Sequence, residues 1–109
     1  MRVYDLYGIE MGSLDEVAIQ VSRLLGIEFE ARDSDFTGGL YYRAKLVEGG
    51  NLELQRNYNK KYEAFQETKF AEFQIILYLN DIPQYEVYQH KLLNMAACKI
   101  VFLQRKILP

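Results

Sequence analysis

The sequence predicts an α+β fold: a single antiparallel-rich sheet of about five to six strands with two helices, in the order roughly β-α-β-β-β-β-α-β. Three observations lead there. A capped apolar stripe at helical spacing spans Ser13 to Gly26. Period-two alternation broken by glycine pairs runs from Ile27 to Gln55. Two apolar strand-like runs, Phe70 to Leu79 and Lys99 to Leu108, flank a second helical segment. The 109 residues suit one domain, whose folding removes about two thirds of the unfolded chain's surface from water. Half of the residues are hydrophobic and 26% are charged, and no repeat, low-complexity tract or linker divides residues 1–109.

Taken in order, Arg2 to Ile9 alternates Val3, Leu6 and Ile9 imperfectly with polar residues, a short strand. Ser13 with Glu16 three residues later is a capping box, and Gly26 supplies the helix stop. Between them Leu14, Val17, Ala18, Val21, Leu24 and Leu25 share one face, leaving Ile19 off the stripe. From Ile27 the period becomes two: Ile27, Phe29 and Ala31 oppose Glu28, Glu30 and Arg32, and then Leu40, Tyr42, Ala44 and Leu46 oppose Tyr41, Arg43 and Lys45. The Glu48-Gly49-Gly50-Asn51 turn leads to Leu52 and Leu54, which completes three antiparallel strands.

Asn57 to Lys69 is polar and reads as a long loop or a short helix carrying Tyr62 and Phe65. Phe70 to Leu79 is predicted as a central strand, with Ala71, Phe73, Ile75, Leu77 and Leu79 on one face. Asp81 with Gln84 can cap a second helix with Pro83 in its first turn and Tyr85, Tyr88, Leu92 and Met95 on its apolar face. The last strand is Lys99 to Leu108, in which Leu103, Arg105 and Ile107 could form a free edge that pairs between chains. Two helices on one sheet face would leave the other face to water or a partner.

Charge and motifs exclude several chemistries. No apolar run approaches the roughly 20 residues of a membrane span, and the acid-bearing N-terminus lacks the form of a signal peptide, so a cytoplasmic location is expected. Residues 1–55 hold five basic and ten acidic side chains, net −5, and residues 56–109 hold eight and five, net +3. That balance disfavours direct nucleic-acid binding and suits a basic protein partner. A lone Cys98 in an apolar run forms no internal disulfide and reads as a buried, inert thiol. The single His90 lies off the second helix's stripe, no serine sits in a nucleophile motif, and no zinc set or phosphate loop is present, so neither a catalytic residue nor a cofactor or small-molecule substrate is expected.

Asp33-Ser34-Asp35-Phe36-Thr37-Gly38 matches the first half of a calcium loop, but Ala44 stands where the bidentate carboxylate belongs. The loop reads instead as one whose Asp and Ser side chains bond their own backbone. Glu28 and Glu30, roughly 7 Å apart on one side of a strand, read as a solvated face. Nine Tyr residues raise a separate expectation: Tyr42, Tyr85 and Tyr88 belong to buried faces, and Tyr41, Tyr58 and Tyr62 fall where a partner would touch.

Three stretches carry a family resemblance: DLYG at Asp5 to Gly8, SLDEVA at Ser13 to Ala18, and ARDSDFTGGLYYR at Ala31 to Arg43. With them the chain resembles the contact-dependent growth inhibition immunity proteins, small cytosolic bacterial proteins that neutralise polymorphic toxins. The resemblance covers about the first 45 residues and leaves the Lys60-Lys61 loop with Tyr58 and Tyr62 outside it. It implies a stoichiometric inhibitor of the C-terminal domain of a cognate toxin, commonly a nuclease acting on tRNA or DNA. A basic nuclease site would accept an acidic patch. Glu28, Glu30, Asp33, Asp35 and Glu53, with Tyr41 and Arg43, would form that patch on the open sheet face and its turn, and the loop from Asn57 to Lys69 is the competing surface. The alternative is a regulatory or adaptor module that binds another cellular protein.

Overall fold

A computed structural model describes residues 1–10 and 12–109. The described residues form β1 (Arg2–Ile9), α1 (Leu14–Leu25), β2 (Glu30–Ser34), β3 (Gly39–Lys45), β4 (Asn51–Arg56), β5 (Tyr58–Asn59), β6 (Ala64–Phe65), β7 (Ile75–Asn80), α2 (Tyr85–Leu93) and β8 (Ile100–Leu108). Six strands make one antiparallel sheet in the order β2-β3-β4-β7-β1-β8, and β5 and β6 form a separate small hairpin. The α+β class is therefore the predicted one, and the element order matches the expected β-α-β-β-β-β-α-β except for the added β5-β6 hairpin.

The helix start follows from Ser13, whose hydroxyl accepts the Glu16 backbone N–H at 3.2 Å, and only this half of the capping box forms. At the other end Gly26 is left-handed, and its N–H and that of Ile27 both return to the Ser22 carbonyl. Those bonds, with the Ser22 hydroxyl on the Ile27 carbonyl, tie Ile27 to the helix cap. The second strand consequently begins at Glu30, three residues later than predicted.

Alternation sets the two sheet faces. Tyr7, Ile9, Ala44, Leu52, Leu54, Ile75, Leu77 and Leu79 point to the side that both helices cover, where they meet Val17, Val21, Tyr88 and Leu92. Each fully buried aliphatic side chain there stabilises by about 1.5–3 kcal/mol. Leu6 and Ile76 point to the opposite side and form a smaller cluster with Phe73. β7 is thus buried on both faces, as a central strand should be. The Glu48 to Asn51 turn works because Gly50 takes a φ of 79° and leaves no room for a Cβ, which would sit 2.5 Å from the Asn80 carbonyl oxygen.

Three further expectations are corrected. The strand predicted from Phe70 begins at Ile75, because Asn57 draws the Phe70 and Phe73 carbonyls into hydrogen bonds and ends the alternation. Phe73 then lies over Gly8 on the face opposite the helices, so close that a Cβ on Gly8 would meet its ring at 2.5 Å. Asp81 caps no helix: its backbone is left-handed at φ 53° and its N–H donates to the Val3 carbonyl, while α2 starts at Tyr85 with no side-chain cap. Cys98 is partly exposed, although burial still pushes its thiol pKa up and keeps it protonated at neutral pH.

At the β8 edge, an extra residue, Leu103, bulges between the Leu6 and Tyr7 pairings. Arg105 turns inward from that edge to the Asp5 carboxylate, whose side chain is fully buried, with bonds of 2.7 and 2.8 Å. The guanidinium also donates to Gln89 of α2 and lies 4.6 Å over the Tyr85 ring. The Tyr7 hydroxyl is buried near this pair and has no partner in hydrogen-bond geometry among the described residues.

Burial first, then the Asp5 charge, raises the Tyr7 pKa; burial, then the bond to Glu67, raises that of Tyr78. Folding stability held by these protonated phenols is complete below their ordinary pKa of 10.0 and falls as pH rises above it. For one tyrosine the slope is about 1.4 kcal/mol per pH unit. Tyr7→Phe should be near neutral at pH 7, since the hydroxyl has no partner to lose, and should flatten the alkaline loss by one tyrosine's share. Urea unfolding at several pH values across the tyrosine range tests this, and an unchanged slope would contradict it.

Candidate functional site

Across the uncovered sheet face, register places Glu30 opposite Arg43 and Arg43 opposite Glu53, with Tyr41 opposite Arg32 in the next row. These acids do not form a continuous acidic patch. Arg32 sits 3.4 Å from Glu30, Arg43 3.8 Å from Glu53, and Lys61 2.6 Å from Asp35. Asp33 faces away from this row, being paired with Leu40 on the helix side, and Glu28 is exposed before β2 begins. Of the seven residues expected on the open sheet face and its turn, Asp33 therefore lies on the helix side and Glu28 precedes the strand, and three of the acids have basic partners. Pairs this near the surface, two of them exposed and Arg43–Glu53 half-buried, contribute about 0–1 kcal/mol each, so they neutralise the surface more than they stabilise it.

The 33–38 loop is a short 3-10 turn over Asp35–Thr37. Ser34 accepts the Phe36 N–H, while the Thr37 hydroxyl donates to nearby carbonyls. The expected self-bonding by Ser34 is observed, whereas Asp35 is directed to Lys61.

The Asn57 to Lys69 segment is neither an open loop nor a helix. Asn57 is fully buried and Asn59 nearly so, and each organises a layer of backbone. The Asn57 amide donates to the Phe70 and Phe73 carbonyls at 2.9 and 3.0 Å and its side-chain oxygen accepts the Glu67 N–H at 2.9 Å. Asn59 donates to the Asp35 and Phe36 carbonyls at 3.1 and 3.2 Å while accepting the Lys61 and Tyr62 N–H groups, the local turn chemistry that asparagine favours. Gln66 adds bonds to the Phe36 carbonyl and to Gln55. Hairpin, 3-10 turn and sheet are thereby locked into one surface.

That surface exposes large aromatic side chains. Phe36 is 79% exposed, Tyr62 54%, Tyr58 42% and Phe65 38%, and the Tyr58 and Phe65 rings pack edge to face at 5.2 Å. Tyr58 and Tyr62 stand in solvent, as expected from the sequence, and Tyr41 is half-buried. Phe36 was not among the expected contact residues. Its signal was present, as a lone aromatic in an acidic turn belonging to neither alternating strand.

Toward β1, the segment after the hairpin overhangs the sheet. Glu67 accepts a short hydrogen bond from the Tyr78 hydroxyl, and Phe70 and Phe73 cover Ile76 and Leu6. The face opposite the helices is thus partly roofed and partly open. His90 is exposed on α2, and no described helix is long and apolar enough to cross a membrane. No protein-family model matches the chain, and no curated protein shows significant similarity to it.

Proposed function

We propose that this chain is an immunity protein: a cytoplasmic, non-catalytic inhibitor that binds the C-terminal domain of a cognate bacterial toxin, of nuclease type, and covers its active site. The observation that carries the reading is the fixed aromatic surface of Phe36, Tyr58, Tyr62 and Phe65, held outward by two buried asparagines. Rigid aromatics lose little conformational freedom on binding, and residues of this kind supply most of the energy at protein interfaces. The resemblance in the first 45 or so residues supplies the class of partner.

The test is a pull-down with the product of the neighbouring reading frame, followed by a toxin assay in which inhibition should saturate at one-to-one stoichiometry. Alanine at Tyr58, Tyr62 or Phe65 should weaken the complex by about 10- to 30-fold each, mainly through faster dissociation. Lys at Glu28 and Glu30 should slow association at low salt only, because rim charges act through steering. A neighbouring product that neither binds nor is inhibited would refute the inhibitor reading and favour the adaptor module.

A further inference from the structure

Two adjoining hollows on the open sheet face share Tyr78 and Asn80, with volumes of about 260 and 420 Å³. The first lies among Tyr4, Glu67, Gln104 and Lys106, the second among Gln55, Gln66 and Phe36. Because β8, β1, β7 and β4 are consecutive neighbours, the joined trough crosses the strands over about 15 Å, the length of four or five extended residues.

The lining is chemically specific. Its three acids are engaged, Asp5 by Arg105, Glu67 by the Tyr78 hydroxyl and Glu53 by Arg43. Lys106 is exposed and has no ion-pair partner among the described residues. The other polar groups are chiefly amide and phenol, from Gln55, Asn80, Gln104, Tyr4 and Tyr78, set beside apolar Leu6, Leu108 and Phe36. Gln66 occupies the Gln55 side-chain oxygen and the Asn80 amide donates to Asn51, which leaves the Gln55 N–H groups as donors, the Asn80 oxygen as an acceptor and Gln104 with both, a mixture that a peptide backbone with alternating N–H and C=O groups can use. One cation at the β8 end asks for one carboxylate.

We propose that this trough holds an extended peptide segment of the partner, its backbone met by Gln55, Asn80 and Gln104 and an Asp or Glu side chain by Lys106. The proposal rests on the reading of the protein as a partner-binding inhibitor and assigns a second contact beside the aromatic hairpin.

Panning a phage-displayed library of random peptides of about 12 residues against the full chain tests it. Wild type should enrich acidic peptides, and Lys106→Glu should switch the selection to Lys- or Arg-bearing ones, a reversal that loss of structure cannot produce. A synthetic peptide from the wild-type pool should bind Lys106→Glu at least about tenfold more weakly, and Tyr62→Ala should select the same peptides as wild type. No enrichment over a blank surface, the same charge preference in both pools, or dependence on Tyr62 would each overturn the proposal. Panning needs no toxin, so its failure is separable from a failed pull-down with the neighbouring product.

Discussion

Replacing Asn57 with Ala should lower the unfolding free energy by about 3 kcal/mol, because the change strands three backbone groups at once. The Phe70 and Phe73 carbonyls lose their donor and the Glu67 N–H loses its acceptor, at a position the solvent does not reach. An unsatisfied buried group costs about 1–3 kcal/mol, and the lower part of that range applies to Phe70 and Glu67, which lie nearer the surface. Asn57→Asp should be no milder, since it points a carboxylate at two carbonyl oxygens. Urea unfolding measures the loss, and a value under about 1 kcal/mol would contradict this account. Hydrogen exchange should show where the loss begins: residues 58–74 should open well before α1 and the central strands. If the aromatic hairpin is the contact surface, variants that still fold should also bind the partner more weakly.

The same asparagine marks the limit of what the sequence discloses. α1 is legible because its determinants are local, a Ser13 cap, an apolar stripe and Gly26 within 14 residues. The β2-β3-β4 meander and the central place of β7 follow from period-two alternation and from turns whose glycines take positive φ. The start of β7 depends on contacts 13 and 16 residues back in the chain, and no window of propensity contains them. Asp81 fails as a cap for a related reason, since the Val3 carbonyl captures its N–H across the sheet.

The candidate site divides along the same line. Exposure of Tyr58 and Tyr62 could be expected from a polar segment with no apolar period. That the acids would be neutralised could not, because Lys61 reaches Asp35 only once Asn59 has bound the Asp35 and Phe36 carbonyls. Charge counted by halves of the chain therefore overstates the acidity of the open face. A surface of mixed charge with exposed aromatics favours binding governed by dissociation, with steering a secondary effect.

Removing Asp5 should be the other large loss, about 3 kcal/mol for Asp5→Ala. The carboxylate is wholly buried, and its bidentate partner Arg105 is mostly covered, at 26% side-chain exposure. Breaking a buried pair from one side costs about 3–5 kcal/mol because the remaining charge is left without compensation, and the partial exposure of Arg105 places this case at the low end. Gln89 and the Tyr85 ring would keep the guanidinium in place without neutralising it. Because the pair is shielded, the loss should persist at about 1 M salt, where an exposed pair would be screened. The double variant Asp5→Leu with Arg105→Met should recover much of the stability, since apolar groups can replace both charges and the Tyr7 hydroxyl has no bond there to lose. A double-mutant cycle by urea unfolding decides the matter. Strong coupling between the two sites is expected, and additive losses would mean that each residue acts through packing alone, with β1, β8 and α2 held together by Tyr7, Phe102 and Leu92 without the ion pair.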